Sequence, residues 1–239
     1  MKKRNESPDQ FVPLRPRDLI GPARKVGAKL FARAHRLHPR SNWKLLLYGS
    51  PGAGKSSIVR MIWPILGSGF DIDKVNGRNV STDLVREWQR NICFRSLFGG
   101  WKIKHIEEVD LVPQVAQDLM LTFLDDLPDR NAIICTSNLS LETLTERFQT
   151  RFELVRVKPP LDAELAYWLL KRWKIPQPIC DFIALGSCGN VRQALLDAAS
   201  FQTLGHFDER PKPPIVVKDP AATARALKAW ETMRSKGAA

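Results

Sequence analysis

Residues Gly49, Ser50, Pro51, Gly52, Ala53, Gly54, Lys55 and Ser56 match the pattern G-x-x-x-x-G-K-S over its full length, and Ser57 follows. This set of residue types can hold a chain of phosphates. Glycines let backbone N–H groups close around the oxygens with no Cβ in the way. A helix beginning at the lysine adds the positive end of its dipole. Lys55 offers a point charge to the outer phosphates, and the Ser56 hydroxyl can ligate Mg²⁺. The expected ligand is a nucleoside triphosphate, ATP with Mg²⁺, cradled by Gly49 to Ser57.

A phosphate loop needs an acid to hold the metal. Ile106-Glu107-Glu108-Val109-Asp110 supplies the candidates. Glu107 is expected to hold Mg²⁺ through its water shell, and Glu108 to orient and polarise the attacking water. Asn138 follows a short apolar run, where an amide can contact the γ-phosphate or the water. Arg151 precedes another apolar run and Arg192 lies near the start of a helical pattern. Taken singly, each arginine reads as a solvated surface group.

The elements that must position these residues follow from periodicity. Residues 44–48, 71–76, 101–106, 132–136 and 152–157 read as short strands. Residues 23–38, 56–63, 81–92, 113–127 and 141–148 read as helices, with Pro64 ending or kinking the second. Strands alternating with helices predict an α/β fold, a parallel sheet flanked by helices on both faces. After Pro159-Pro160 the pattern becomes all-helical, at 161–173, 177–186 and 189–203. The expected divisions are a basic irregular segment (1–18), a nucleotide-binding α/β domain (19–158), a small helical domain (159–205), and a Pro-rich linker with a final helix (206–239).

Composition narrows the setting. The net charge is +12, and residues 1–44 hold twelve cations against three acids. Such an excess fits a polyanionic partner, most simply nucleic acid. The four cysteines form no C-x-x-C pair, which argues against a zinc module. Cys135 reads as core. Neither a leader peptide nor a membrane-spanning run is expected, so the reading is an intracellular protein, cytoplasmic or nucleoid-associated.

The ordered set resembles the AAA+ ATPases, and within them clamp loaders of the replication factor C small-subunit kind and their viral relatives. The likeness covers about Pro16 to Ser200. Val75-Asn76-Gly77 followed by Asp83-Leu84-Val85-Arg86-Glu87 is similar to the clamp-loader segment between the two nucleotide motifs. The resemblance implies a P-loop AAA+ sheet with a helical lid. It makes Asn138 the sensor 1 residue, Arg192 the lid's sensor 2 arginine, and Arg151, in Thr150-Arg151-Phe152, a finger on a neighbouring subunit's ATP. Residues 14–21, including Ile20 and Gly21, sit where the family frames the adenine.

The resemblance further implies an oligomer built through ATP at subunit seams. DNA backbone contacts fall on Arg86 and Arg90, with Arg78 and Arg95 as weaker candidates. The client is a replication protein such as a sliding clamp or a helicase. Two departures qualify this. Glu107 stands where the family has aspartate, which bears on hydrolysis more than on binding. About 35 residues follow the lid, too few for the family's collar. Two alternatives therefore stand beside the clamp-loader reading. One is a helicase loader or transposition regulator of a virus or mobile element. The other is a nucleotide-gated assembly subunit with weak hydrolysis.

Overall fold

Leu45, Leu46 and Leu47 are all fully buried, although successive strand residues face opposite sides of a sheet. A strand apolar on both faces requires helices on both. The computed structural model describes residues 7–94, 96, 99–138 and 141–205, and it meets that requirement.

Five strands, β1 (Trp43–Tyr48), β2 (Ile72–Asn76), β3 (Lys102–Glu107), β4 (Asn131–Ser137) and β5 (Glu153–Arg156), form one sheet in the order β2-β3-β4-β1-β5. Every pairing is parallel. Side-chain parity divides the core. Leu45, Leu47, Ile103 and Ile134 pack under α1 (Gly21–Ala34) and α2 (Lys55–Leu66). Leu46, Ile106, Ile133 and Cys135 pack under α3 (Thr82–Asn91), α4 (Gln114–Asp125) and the short α5 (Glu146–Gln149). Each fully buried leucine contributes about 1.5–3 kcal/mol.

The helical domain consists of α6 (Asp162–Trp173), α7 (Gln177–Ser187) and α8 (Val191–Leu204) around its own core, which Ile20 joins from the first domain. Among the described residues, no helix is long and apolar enough to cross a membrane.

The structure differs from the sequence expectations at several element ends. Helix α1 starts two residues before Ala23, because Pro22 is suited to the first turn. It stops at Ala34 rather than His38, because Pro39 disfavours helical backbone at His38. The His38 ring and carbonyl instead close a turn, accepting from Arg40 N and Ser41 Oγ. Pro64 neither ends nor breaks α2, which runs on to Leu66. It lies in the last turn, and Gly67 N donates to Trp63 O at 3.0 Å to close the helix beyond it. The polar side chains of β3 are also used. Lys104 reaches Asp73 at 2.6 Å and lies over the Trp88 ring, and Trp88 is itself core, donating to Asp73. Residues 7–18 form two single 3-10 turns where irregular chain was expected. The expected linker and last helix at 206–239 lie outside the described residues.

Candidate active site

Register brings the chemistry together. Tyr48 pairs with Ser137, Ile106 with Cys135, and Asn76 with Glu107. The residues that leave the carboxyl ends of β1, β2, β3 and β4 therefore meet at one edge. Ligands bind at this edge in open parallel sheets. A cavity of about 620 Å³ opens there. Its walls include Pro51 to Ser57, Glu107, Glu108, Asn138 and Arg192, residues named from sequence.

The phosphate-loop wall is local. Gly54 has φ 97° and caps α2, so the loop turns directly into the helix N-terminus. Lys55 is 5% exposed and donates to Gly49 O and Ser50 O, both at 2.8 Å. Gly49 and Ser50 thus hold the lysine from outside the lining. Burial lowers the Lys55 pKa to about 8, opposed by Asp110 and assisted by Arg192. Gly52 has φ 72°, and a Cβ there would lie 1.8 Å from Asn190 Oδ1. Val191 N donates to Gly52 O at 3.2 Å, so the first turn of α8 rests on the loop and brings Arg192 to the cavity.

The acidic wall is assembled from distant strands. Glu108 has φ 53°, a conformation that costs a non-glycine residue about 1–3 kcal/mol. Its Oε2 accepts from Asn76 Nδ2 at 2.9 Å and its Oε1 from Asn138 Nδ2 at 3.2 Å. Asn76 Oδ1 accepts from Arg78 N, which fixes the orientation of that amide. Gly77 lets the chain pass, because a Cβ there would meet Glu108 O at 2.1 Å. Glu107 pairs with Lys74 at 2.8 Å. Ser56 and Glu107 both line the cavity and offer hard oxygen donors, a set that fits Mg²⁺ retaining several waters.

Asn76, Lys74 and Arg60 were not named as site residues from the sequence. Arg60 had a signal, since it lies four residues after Ser56 on the same helix face. Asn76 and Lys74 had none without the strand order. His105 lies fully buried against Trp63, and burial pushes its pKa down to about 4, so it is neutral at pH 7.

The N-terminal arm forms a further wall of the cavity. Asp9, Phe11, Val12 and Pro13 line it together with Ile20 and Trp168. Phe11 sits between Trp168 (5.5 Å) and Trp173 (5.7 Å), with the Arg172 guanidinium over its ring at 4.1 Å. Gly21 does not line the cavity; it begins α1 beside Pro160 and Glu164.

Four arginines lie elsewhere. Arg151 precedes the amino end of β5, whereas the phosphate loop follows the carboxyl end of β1. It forks onto Asp125 at 2.9 and 3.1 Å. Arg78, Arg86 and Arg90 are exposed at or on α3, on the face of the sheet away from α1, and Arg86 pairs with Asp83 at 2.9 Å. Arg95 lies outside the described residues.

Residues 45–160 match the model of the ATPase family associated with various cellular activities (AAA). The chain therefore carries an AAA domain, a domain of ATP-hydrolysing enzymes. The fold is similar to solved structures of mutant RuvB from Thermotoga maritima. One is 16% identical with a TM-score of 0.64, covering 94% of this chain and 74% of that one. Another is 13% identical with a TM-score of 0.61, covering 91% and 72%. These share the fold, a parallel sheet flanked by helices with a helical domain after it. A search of curated proteins finds no significant match.

Proposed function

We propose that this chain is an ATP-driven, DNA-associated assembly subunit that loads or remodels a replication protein, in the manner of a clamp loader. One observation carries the reading: Lys55, Glu108, Asn138 and Arg192 converge on a single cavity between sheet and lid, while Arg151 is presented at the opposite end of the sheet. An arginine that cannot serve its own cavity can serve a neighbour's by exchanging Asp125 for phosphate. Stacking subunits head to tail would bring it there, through a heterologous contact that closes as a ring or opens as a spiral.

Each residue then has a defined task. The loop amides and Lys55 bind the triphosphate. Ser56 and Glu107 would hold Mg²⁺, which would offset the charge of the triphosphate. Glu108 accepts a proton from the attacking water once its oxygens are released from Asn76 and Asn138. Asn138 contacts the γ-phosphate side, and Arg192 registers the nucleotide from the lid. Arg78, Arg86 and Arg90 are the DNA-backbone candidates carried over from the clamp-loader likeness.

Sedimentation with ATP, ADP and no nucleotide tests the assembly. The expected result is an oligomer with ATP that Arg151→Ala disperses without loss of nucleotide binding. A chain that stays monomeric at saturating ATP overturns the proposal. Stimulation of turnover by primed DNA and a clamp together identifies the client; stimulation by a helicase or transposase favours that loader class instead. The Lys74–Glu107 pair favours a second reading, a nucleotide-gated assembly subunit with weak hydrolysis. Turnover that Glu108→Gln abolishes excludes it.

A further inference from the structure

No acidic residue occurs between Asp18 and Asp71, a run of 52 positions. At the chain's frequency of 25 acids in 239 residues, about five would be expected. Nine cations fall in the same run. Three are used inside the first domain: Lys55 and Arg60 line the nucleotide cavity, and Lys44 donates to Leu124 O at 3.0 Å. The other six are Arg24, Lys25, Lys29, Arg33, Arg36 and Arg40, all exposed on α1 and the turn after it.

The geometry makes them a surface rather than a scatter. Lys25, Lys29, Arg33 and Arg36 follow helical spacing along one face of the chain at α1 and its end. Four residues of helix advance about 6 Å, so the charges form a row. A shallow groove lined by Lys29, Arg33, Arg36 and His38 runs beside it. Among the described residues one ion pair reaches this face, Arg33 to Glu153 at 2.7 Å. The surface around α3 differs. Arg78, Arg86 and Arg90 share it with Asp83 and Glu87, and Arg86 is already paired. The two surfaces lie on opposite faces of the sheet, so one straight segment of backbone cannot touch both within a subunit.

A row of exposed cations, of which only Arg33 is paired with an acid among the described residues, fits an anion that repeats along a line. We infer that the α1 face binds a phosphodiester backbone and supplies most of the salt-dependent DNA affinity of this chain. The inference deepens the proposed DNA association and rests on it for the class of partner. It requires neither hydrolysis nor assembly.

The experiment is fluorescence anisotropy of the full chain with labelled duplex and single-stranded DNA between 50 and 200 mM salt. Lys25→Gln/Lys29→Gln/Arg36→Gln is compared with Arg86→Ala/Arg90→Ala. Glutamine preserves helix propensity, and melting temperature and ATP affinity report the fold. In the α1 variant the slope of log K against log salt should shrink by about 2–3, since each phosphate contact contributes about 0.9. Affinity at 50 mM salt should drop at least about ten-fold, with a smaller loss in the α3 variant. An unchanged slope in the α1 variant overturns this inference alone and turns the surface toward an acidic protein. Failure of the unaltered chain to bind either DNA overturns it together with the DNA part of the proposed function.

Discussion

The two walls of the nucleotide cavity are made in different ways. The phosphate-loop wall is one continuous segment, Pro51 to Ser57, whose geometry is set by its own glycines and by the start of α2. The acidic wall joins Asn76, Glu107, Glu108 and Asn138, residues up to 62 positions apart, and exists only because β2, β3 and β4 pair in a particular register. A local wall can bind before the rest of the site is arranged. An assembled wall reports on the whole sheet, and its carboxylates are already engaged by Asn76, Asn138 and Lys74. Binding and turnover should therefore separate cleanly between the two walls.

The largest expected effect is on the acidic wall. Glu108→Gln should lower kcat by about 10²–10⁴-fold while ATP affinity changes little, measured by steady-state turnover and nucleotide titration. An equal loss of affinity would show that the walls are not separable. Lys55→Ala should weaken ATP binding by about 100-fold, or about 2.7 kcal/mol, by calorimetry.

Proton linkage sharpens the same contrast. Free Lys55 has its pKa lowered to about 8 by burial, whereas phosphates beside it favour the charged form. ATP affinity should be level below pH 8 and fall by up to about ten-fold per pH unit above it, as binding comes to require proton uptake. The free chain has the opposite sign. Between pH 8 and the ordinary lysine value its unfolded state holds the extra proton, so this group adds stability as pH rises through that window. A pH-independent affinity from 7 to 9.5 would remove Lys55 as the titrating contact.

Asn76→Ala should change kcat by about five- to ten-fold, the net scale of one ordinary hydrogen bond, with ATP affinity unchanged. The smallest effect is expected at Lys74. Its ion pair with Glu107 is partly exposed and competes with metal for the same carboxylate. Lys74→Met should tighten Mg²⁺-dependent nucleotide binding by about two- to five-fold relative to binding in chelator. An unchanged ratio would mean that the two cations do not compete.

Legibility in the sequence followed the same division. The phosphate loop, the alternation of strands and helices and the helical lid were all readable, because each depends on neighbours a few residues apart. Glu108 and Asn138 were readable because they follow apolar strands. Asn76 and Lys74 were not, because their role comes from the pairing of Asn76 with Glu107 and from a side-chain contact between adjacent strands. Pro64 misled for a local reason: a proline one turn from a helix end removes a single donor and leaves the helix intact. The exposed cations of α1 belong to the basic first segment in the sequence, but their arrangement on one face required the fold.

The Phe11 contact has a practical consequence. Two of the chain's seven tryptophans, Trp168 and Trp173, flank that ring, and Trp168 also lines the nucleotide cavity. The N-terminal arm is thereby latched to the lid through Phe11. A lid that shifts on ATP should carry this contact with it and change the polarity around both indoles, so tryptophan emission with and without ATP should report lid position without a label.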